Sequence, residues 1–200
     1  MRPSDHHESS VSVKKLRFQD LCERHHGLTP AISAFYSEAA GLCLGRHYAS
    51  PQTILLRDGT LETQSSAEWN PADQRTIDAW ANQDDATEFG AYGLALAAAE
   101  VTRGLVAVRR AETRTGADYY LGPPNEMAED LESSFRLEVS GTDLGTDAVI
   151  ETRLIFEDDS KPLSIRESIF ANGHSGGWRS KTGYSFARFA KADFRDTSWS

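Results

Sequence analysis

This 200-residue chain is short of several things, and each shortage removes a class of protein. It has two cysteines, Cys22 and Cys43. They form no disulfide framework and fit no metal-ligand spacing, so a reducing compartment, the cytoplasm, is expected. No apolar run approaches the ~18 residues of a membrane span. The opening MRPSDHHESS lacks the apolar centre of a secretory signal. The expectation is therefore a cytoplasmic protein without membrane contact. Lysine is missing between Lys15 and Lys161, so the centre of the chain carries its positive charge on arginine alone. No repeat of 20–50 residues is visible. No Walker-type loop is present, and Gly141-Thr-Asp-Leu-Gly145 is too generic to cradle phosphate.

What is present describes a globular chain. Hydrophobic residues at 39% and charged residues at 26% suit one domain with a sizeable core. The net charge of −9 is uneven, because residues 161–200 hold seven basic side chains against three acids. That asymmetry points to an anionic partner for the C-terminal stretch. There, Arg179, Lys181, Arg188 and Lys191 alternate with Trp178, Tyr184, Phe186 and Phe189. Basic and aromatic residues in alternation suit backbone contact and base stacking, so DNA is the expected partner. The other reading is an extension whose aromatics pack on the domain.

Organisation follows from local signals. Residues 1–10 are polar and expected to be disordered, 11–171 form one α/β domain, and 172–200 a basic aromatic tail. Val11–Arg24 reads as a first helix ending at His25-His26-Gly27. Adjacent histidines diverge by about 100° on a helix, so these two suit the helix dipole better than a metal. Thr29-Pro30 opens the next helix, which runs to about Gly45. Thr53–Arg57 and Thr60–Gln64 flank Asp58-Gly59 and read as a hairpin. Asn70-Pro71 starts a short helix ending near Trp80. Cys22 and Cys43 read as small core side chains.

The informative stretch is Asp84 to Gly141. A helix of small residues, capped by Asp84 or Asp85, is expected from Ala86 to Arg103, with Gly104 closing it. Strands are expected from Leu105 to Glu112, from Asp118 to Gly122 and from Phe135 to Val139. At ~1.5 Å per helical residue and ~3.3 Å per strand residue, helix and first strand are of similar length. Packed antiparallel, they bring Glu88, Asp118 and Glu138 to one end of the sheet. Glu100 is the rival helical acid, about 120° around the helix from Glu88. Converging carboxylates suit Mg²⁺ or Mn²⁺, which can activate water and stabilise phosphoryl charge. Taken singly, Asp118 reads as a turn residue and Glu138 as the outward position of a half-buried strand.

The order helix, strand, strand, strand, with these acids, resembles the PD-(D/E)XK nuclease superfamily. Thr115-Gly-Ala-Asp-Tyr-Tyr-Leu-Gly122 with Arg136-Leu-Glu-Val-Ser-Gly141 also looks like a motif pair from uncharacterised bacterial proteins. The resemblance covers about residues 84–171. It implies a helix-strand-strand-strand-helix-strand core, here with an N-terminal helical and hairpin extension. It further implies Glu88, Asp118 and Glu138 as metal ligands and catalytic residues, with DNA as substrate. The family's lysine, two residues after the glutamate, is replaced by Ser140. Arg136 on the same strand, or Lys161 or Lys181 from elsewhere, would have to supply the charge. Two functions are therefore expected as alternatives: metal-dependent hydrolysis of DNA, or a catalytically inactive interaction or immunity-type protein on the same fold. For the final helix and strand of that core, Ala148–Glu157 is compatible with helix or strand, and Leu163–Phe170 with the last strand or a further helical turn.

Overall fold

The structure is a computed structural model that describes residues 13–58, 60–125, 131, 134–142, 165–171 and 182–191. For 165–171 and 182–191 it describes the backbone. The expectations for residues 1–10 and for Ala148–Glu157 lie outside the described residues, as do Lys161, Arg179 and Lys181.

The fold is mixed α/β. Its elements are β1 (Lys14–Lys15), α1 (Pro30–His47), β2 (Gln52–Asp58), β3 (Leu61–Ala67), α2 (Gln74–Ala79), α3 (Gln83–Arg103), β4 (Val106–Arg110), β5 (Tyr119–Gly122), β6 (Phe135–Ser140), β7 (Ile165–Ala171) and β8 (Thr182–Lys191). The described strands join in one sheet of order β1-β3-β2-β7-β8-β6-β5-β4. Only the β1–β3 pair is parallel; the other neighbours are antiparallel.

The chain's beginning departs from expectation. The described part of the expected Val11–Arg24 helix, from Val13 on, is not an α-helix: β1 pairs with β3, Leu16 N–H continues the ladder to Ser66 O at 2.8 Å, and a short 3₁₀ turn covers Leu21–Glu23. The physical reason is the spacing of Leu16 and Phe18. Both are buried two residues apart, the period of a strand rather than a helix. His25 and His26 accordingly end no helix. His25 is fully buried and its Nδ1 accepts the N–H of Ala107 at 2.9 Å, while Gly27 N–H donates to Ala107 O at 2.8 Å. This segment covers part of the free edge of β4, the last strand of the sheet, an edge that would otherwise offer unpaired backbone groups.

The helices start where their caps dictate. The Thr29 side chain accepts from Ile32 N–H with Pro30 in the first turn of α1. Asp73 accepts from Thr76 N–H, so α2 begins at Gln74 rather than at Asn70-Pro71. Asn82 caps α3, which begins three residues before the expected Ala86 and ends at Gly104 in the left-handed region, φ 65°. The small residues of α3 serve packing. A Cβ on Gly90 would lie 3.1 Å from Ala39 O, and one on Gly93 3.0 Å from Tyr36 O. The two helix backbones thus touch, and their shared face meets a core that includes Leu44, Ile54, Leu56, Leu94, Leu121 and Leu137. Cys43 is buried in it and Cys22 packs against its edge. In the hairpin, Asp58 pairs with Leu61, so the two-residue connection is 59–60.

Residues 182–191, expected in an extension, run as β8 between β7 and β6, inside the sheet. Of the two readings of Leu163–Phe170, strand or helical turn, the described part is a strand, β7, which pairs with β2 and β8.

Candidate functional site

Three chain ends meet where the sequence geometry brings them together. Asp118 N–H donates to Leu137 O at 2.7 Å, and Val139 N–H donates to Asp118 Oδ2 at 2.8 Å. Just past β6, a Cβ on Gly141 would fall 2.7 Å from Ala91 Cβ and 2.8 Å from Thr87 O of α3. The start of α3, the entry to β5 and the exit of β6 therefore form one junction, closed tightly enough to require glycine at 141.

The Asp118 carboxylate is engaged inside that junction. Its Oδ1 accepts from the Tyr92 hydroxyl at 2.7 Å, and Arg110 Nη2 stands 3.7 Å from the same oxygen. Arg110 also donates to the hydroxyls of Tyr36 at 3.1 Å and Tyr92 at 3.3 Å. Its guanidinium lies 4.6 Å from the ring centre of Tyr92 and 4.8 Å from that of Tyr119. The Tyr36 and Tyr119 hydroxyls are 2.9 Å apart. Burial, helped by the hydrogen bond with Tyr119, pushes the Tyr36 phenol well above its usual range. Burial and the neighbouring Asp118 carboxylate do the same to Tyr92. Both phenols stay protonated at neutral pH, and Tyr92 donates its proton to Asp118. The group is a closed network of three tyrosines, one arginine and one carboxylate, joining α1, α3, β4 and β5.

The other expected site residues lie around this junction without joining it. Glu88 is exposed on α3, one turn before Tyr92. Glu138 is exposed on β6, between Leu137, which is buried, and Val139, which packs against the core. Alternation along the strand places it and Ser140 on the face away from the helices. Among the described residues no three His, Cys, Asp or Glu side chains are grouped to hold a metal ion. Glu88, Asp118 and Glu138 thus do not offer Mg²⁺ or Mn²⁺ a common set of ligands, and both Asp118 oxygens already accept hydrogen bonds. The cation beside Asp118 is Arg110, which the sequence reading did not single out. Arg136 flanks Glu138 on β6.

Two of the four expected nucleic-acid-binding residues fall on β8. Arg188 sits opposite Glu138 on β6 and Arg166 on β7, whereas Lys191 sits opposite Phe135.

Glu100, the rival acid, belongs elsewhere. Arg24 Nε donates to both of its oxygens at 2.9 Å, and His25 Nε2 lies 3.4 Å from Oε2. Because His25 Nδ1 is an acceptor, its proton sits on Nε2, facing Glu100. Burial alone would raise the Glu100 carboxyl, but its neighbours His25 and Arg24, the latter hydrogen-bonded to both oxygens, hold it below its usual range.

The tyrosine–arginine network had one signal in the sequence. Tyr92 is the one bulky residue in Gly90-Ala-Tyr-Gly93, where close helix packing leaves room for little else. Among known proteins, the chain matches no family model, and no curated protein or solved structure matches it significantly. No helix among the described residues is long and apolar enough to cross a membrane.

Proposed function

We propose that this chain acts by binding rather than by cleaving phosphodiesters, as a non-catalytic interaction or immunity-type protein on an α/β, nuclease-like framework. The observation that carries this reading is the engagement of Asp118. The acid that would anchor a metal holds Tyr92 and the backbone of β6 instead, with Arg110 beside it. A carboxylate locked in a hydrogen-bond network of this kind specifies structure.

A protein partner of basic character fits the surface next to the network. Ile32 and Phe35 of α1 are exposed large apolar residues. The Phe35 ring packs 4.6 Å from Trp80 and 4.8 Å from Phe89. Exposed Glu38 accepts from Trp80 Nε1 at 2.7 Å, and exposed Asp85 lies one helical turn from Phe89. Aromatic centres with a charged rim are the usual anatomy of an interaction face.

The test is a calorimetric titration with Mg²⁺ and Mn²⁺, alongside DNA-cleavage assays, on wild type, Asp118→Ala and Glu138→Ala. The expected result is no saturable binding and no cleavage in any of the three. Saturable binding in wild type that both substitutions abolish, with metal-dependent cleavage, would overturn the proposal in favour of hydrolysis.

A further inference from the structure

A separate cleft lies between β1, the end of α1, the segment after β3, and α2, with a volume of about 1170 Å³. That is slightly above the ~300–1,000 Å³ of typical small-molecule sites. Leu42, Tyr48, Pro51, Trp69, Ile77 and Trp80 give it an apolar body. Its charged lining is Lys15, Arg17 and Arg46 against Glu68 and Asp78. The cleft is thus net positive in a chain of net charge −9.

Among the described residues, three donors in this cleft have no acceptor. Trp69 is only 7% exposed. Its backbone N–H donates to Ser50 Oγ at 2.8 Å, but its indole N–H has no partner among the described residues. Nor is that nitrogen sealed off, since the fully buried side-chain atoms without a partner lie on other residues. Above it stands Gly45, whose missing Cβ would come within 3.4 Å of Nε1. Gly45 is an exposed helical position, where glycine costs about 1 kcal/mol relative to alanine. Its absent side chain leaves the indole N–H accessible from the cleft. The side chains of Lys15 and Arg17 likewise have no hydrogen bond or ion pair among the described residues. Indole, ammonium and guanidinium groups donate and cannot accept.

We infer that this cleft binds a small organic anion with an apolar body. Its carboxylate or phosphate headgroup is met by Trp69 Nε1–H, Lys15 and Arg17, and its apolar part lies along Leu42, Ile77 and Trp80. This site shares Trp80 with the proposed protein-binding face but none of that face's other named residues, and it holds whether or not that reading does.

The test is a fluorescence titration of the full chain with 8-anilinonaphthalene-1-sulfonate, an apolar body bearing an anion. Displacement by decanoate, decyl phosphate, decanol and decyltrimethylammonium follows. Saturable binding is expected, with displacement by decanoate or decyl phosphate at least tenfold stronger than by decanol, and none by the cation. Whichever anion displaces better identifies the headgroup. Arg17→Glu with Lys15→Glu should weaken binding tenfold or more. Trp69→Phe, which keeps the ring and removes the N–H, should weaken it several-fold. Gly45→Leu, a good helix former at an exposed position, should block the site without lowering the melting temperature. The inference is overturned if the probe fails to bind, if decanol competes as well as decanoate, or if Gly45→Leu and the charge reversals leave affinity unchanged.

Discussion

Replacing Asp118 with alanine separates a structural carboxylate from a catalytic one. The substitution removes acceptors from Tyr92 OH and Val139 N–H, and the counter-charge from Arg110. A hydrogen bond to a charged group contributes about 1.5–3 kcal/mol, and a buried donor left without a partner loses a similar amount. The Asp118 side chain is 21% exposed, so water can replace part of the loss. About 3 kcal/mol is the expected destabilisation, or roughly 6–12 °C in melting temperature for a domain of this size. Asp118→Asn keeps the shape and one carbonyl acceptor and should cost about 1 kcal/mol. In a double-mutant cycle with Tyr92→Phe, the pair should couple by about 1 kcal/mol. The assay is thermal and urea unfolding followed by circular dichroism. An Asp118→Ala protein that melts within 1 °C of wild type refutes the argument. Removing a catalytic acid often leaves stability unchanged or raised, and that outcome would return Asp118 to the list of free ligands.

Other outcomes follow from the packing and the charges. Gly141→Ala places a methyl 2.7 Å from Ala91 Cβ and 2.8 Å from Thr87 O; overpacking should cost about 1–3 kcal/mol in urea unfolding. Gly93→Val should cost at least as much, since its Cβ alone would lie 3.0 Å from Tyr36 O and valine is also a poorer helix former than alanine. Glu100 has a lowered folded-state pKa. Its contribution is therefore complete above the unfolded value of about 4.3 and is lost as pH falls through the folded one. Melting temperature plotted against pH should fall less steeply below pH 4 in Glu100→Gln than in wild type, and parallel curves would contradict the Arg24–Glu100–His25 arrangement.

The legible parts of the fold were those set by neighbours in sequence. Thr29-Pro30 marked α1, Gly104 the end of α3, and apolar residues bounded by turns the strands β4 to β6. The meeting of Asp118 with the end of β6 also followed, because element lengths and order dictate it. What the sequence hid was which way side chains face once several elements compete for them. Glu138 alternates outward because Leu137 takes the core position beneath α3. Asp118 turns inward because Tyr92 and Arg110 arrive from two other elements, a convergence no local pattern encodes. At the N-terminus, the apolar residues of Val13–Leu21 read as a helix face, but the two-residue spacing of Leu16 and Phe18 suits the strand that the free edge of β3 receives. The placement of β8 was invisible for a related reason. Its partner β6 ends at Ser140 and β8 begins only at Thr182, and strand pairing over such a distance leaves no local mark.

That placement bears on how the molecule is made. Among the described strands, β7 and β8 alone connect the β1-β3-β2 side of the sheet to the β6-β5-β4 side. During synthesis, the chain up to residue 164 therefore leaves the ribosome as two half-sheets, with β2 and β6 each lacking the neighbour it will later have. The keystone strands come off the ribosome after both halves, and the bridge closes only once residue 191 has emerged. Pairings between such distant segments form slowly, and open strand edges invite wrong partners. A nascent chain stalled before residue 182 should thus be a client for chaperones and proteases, while one released past 191 should not.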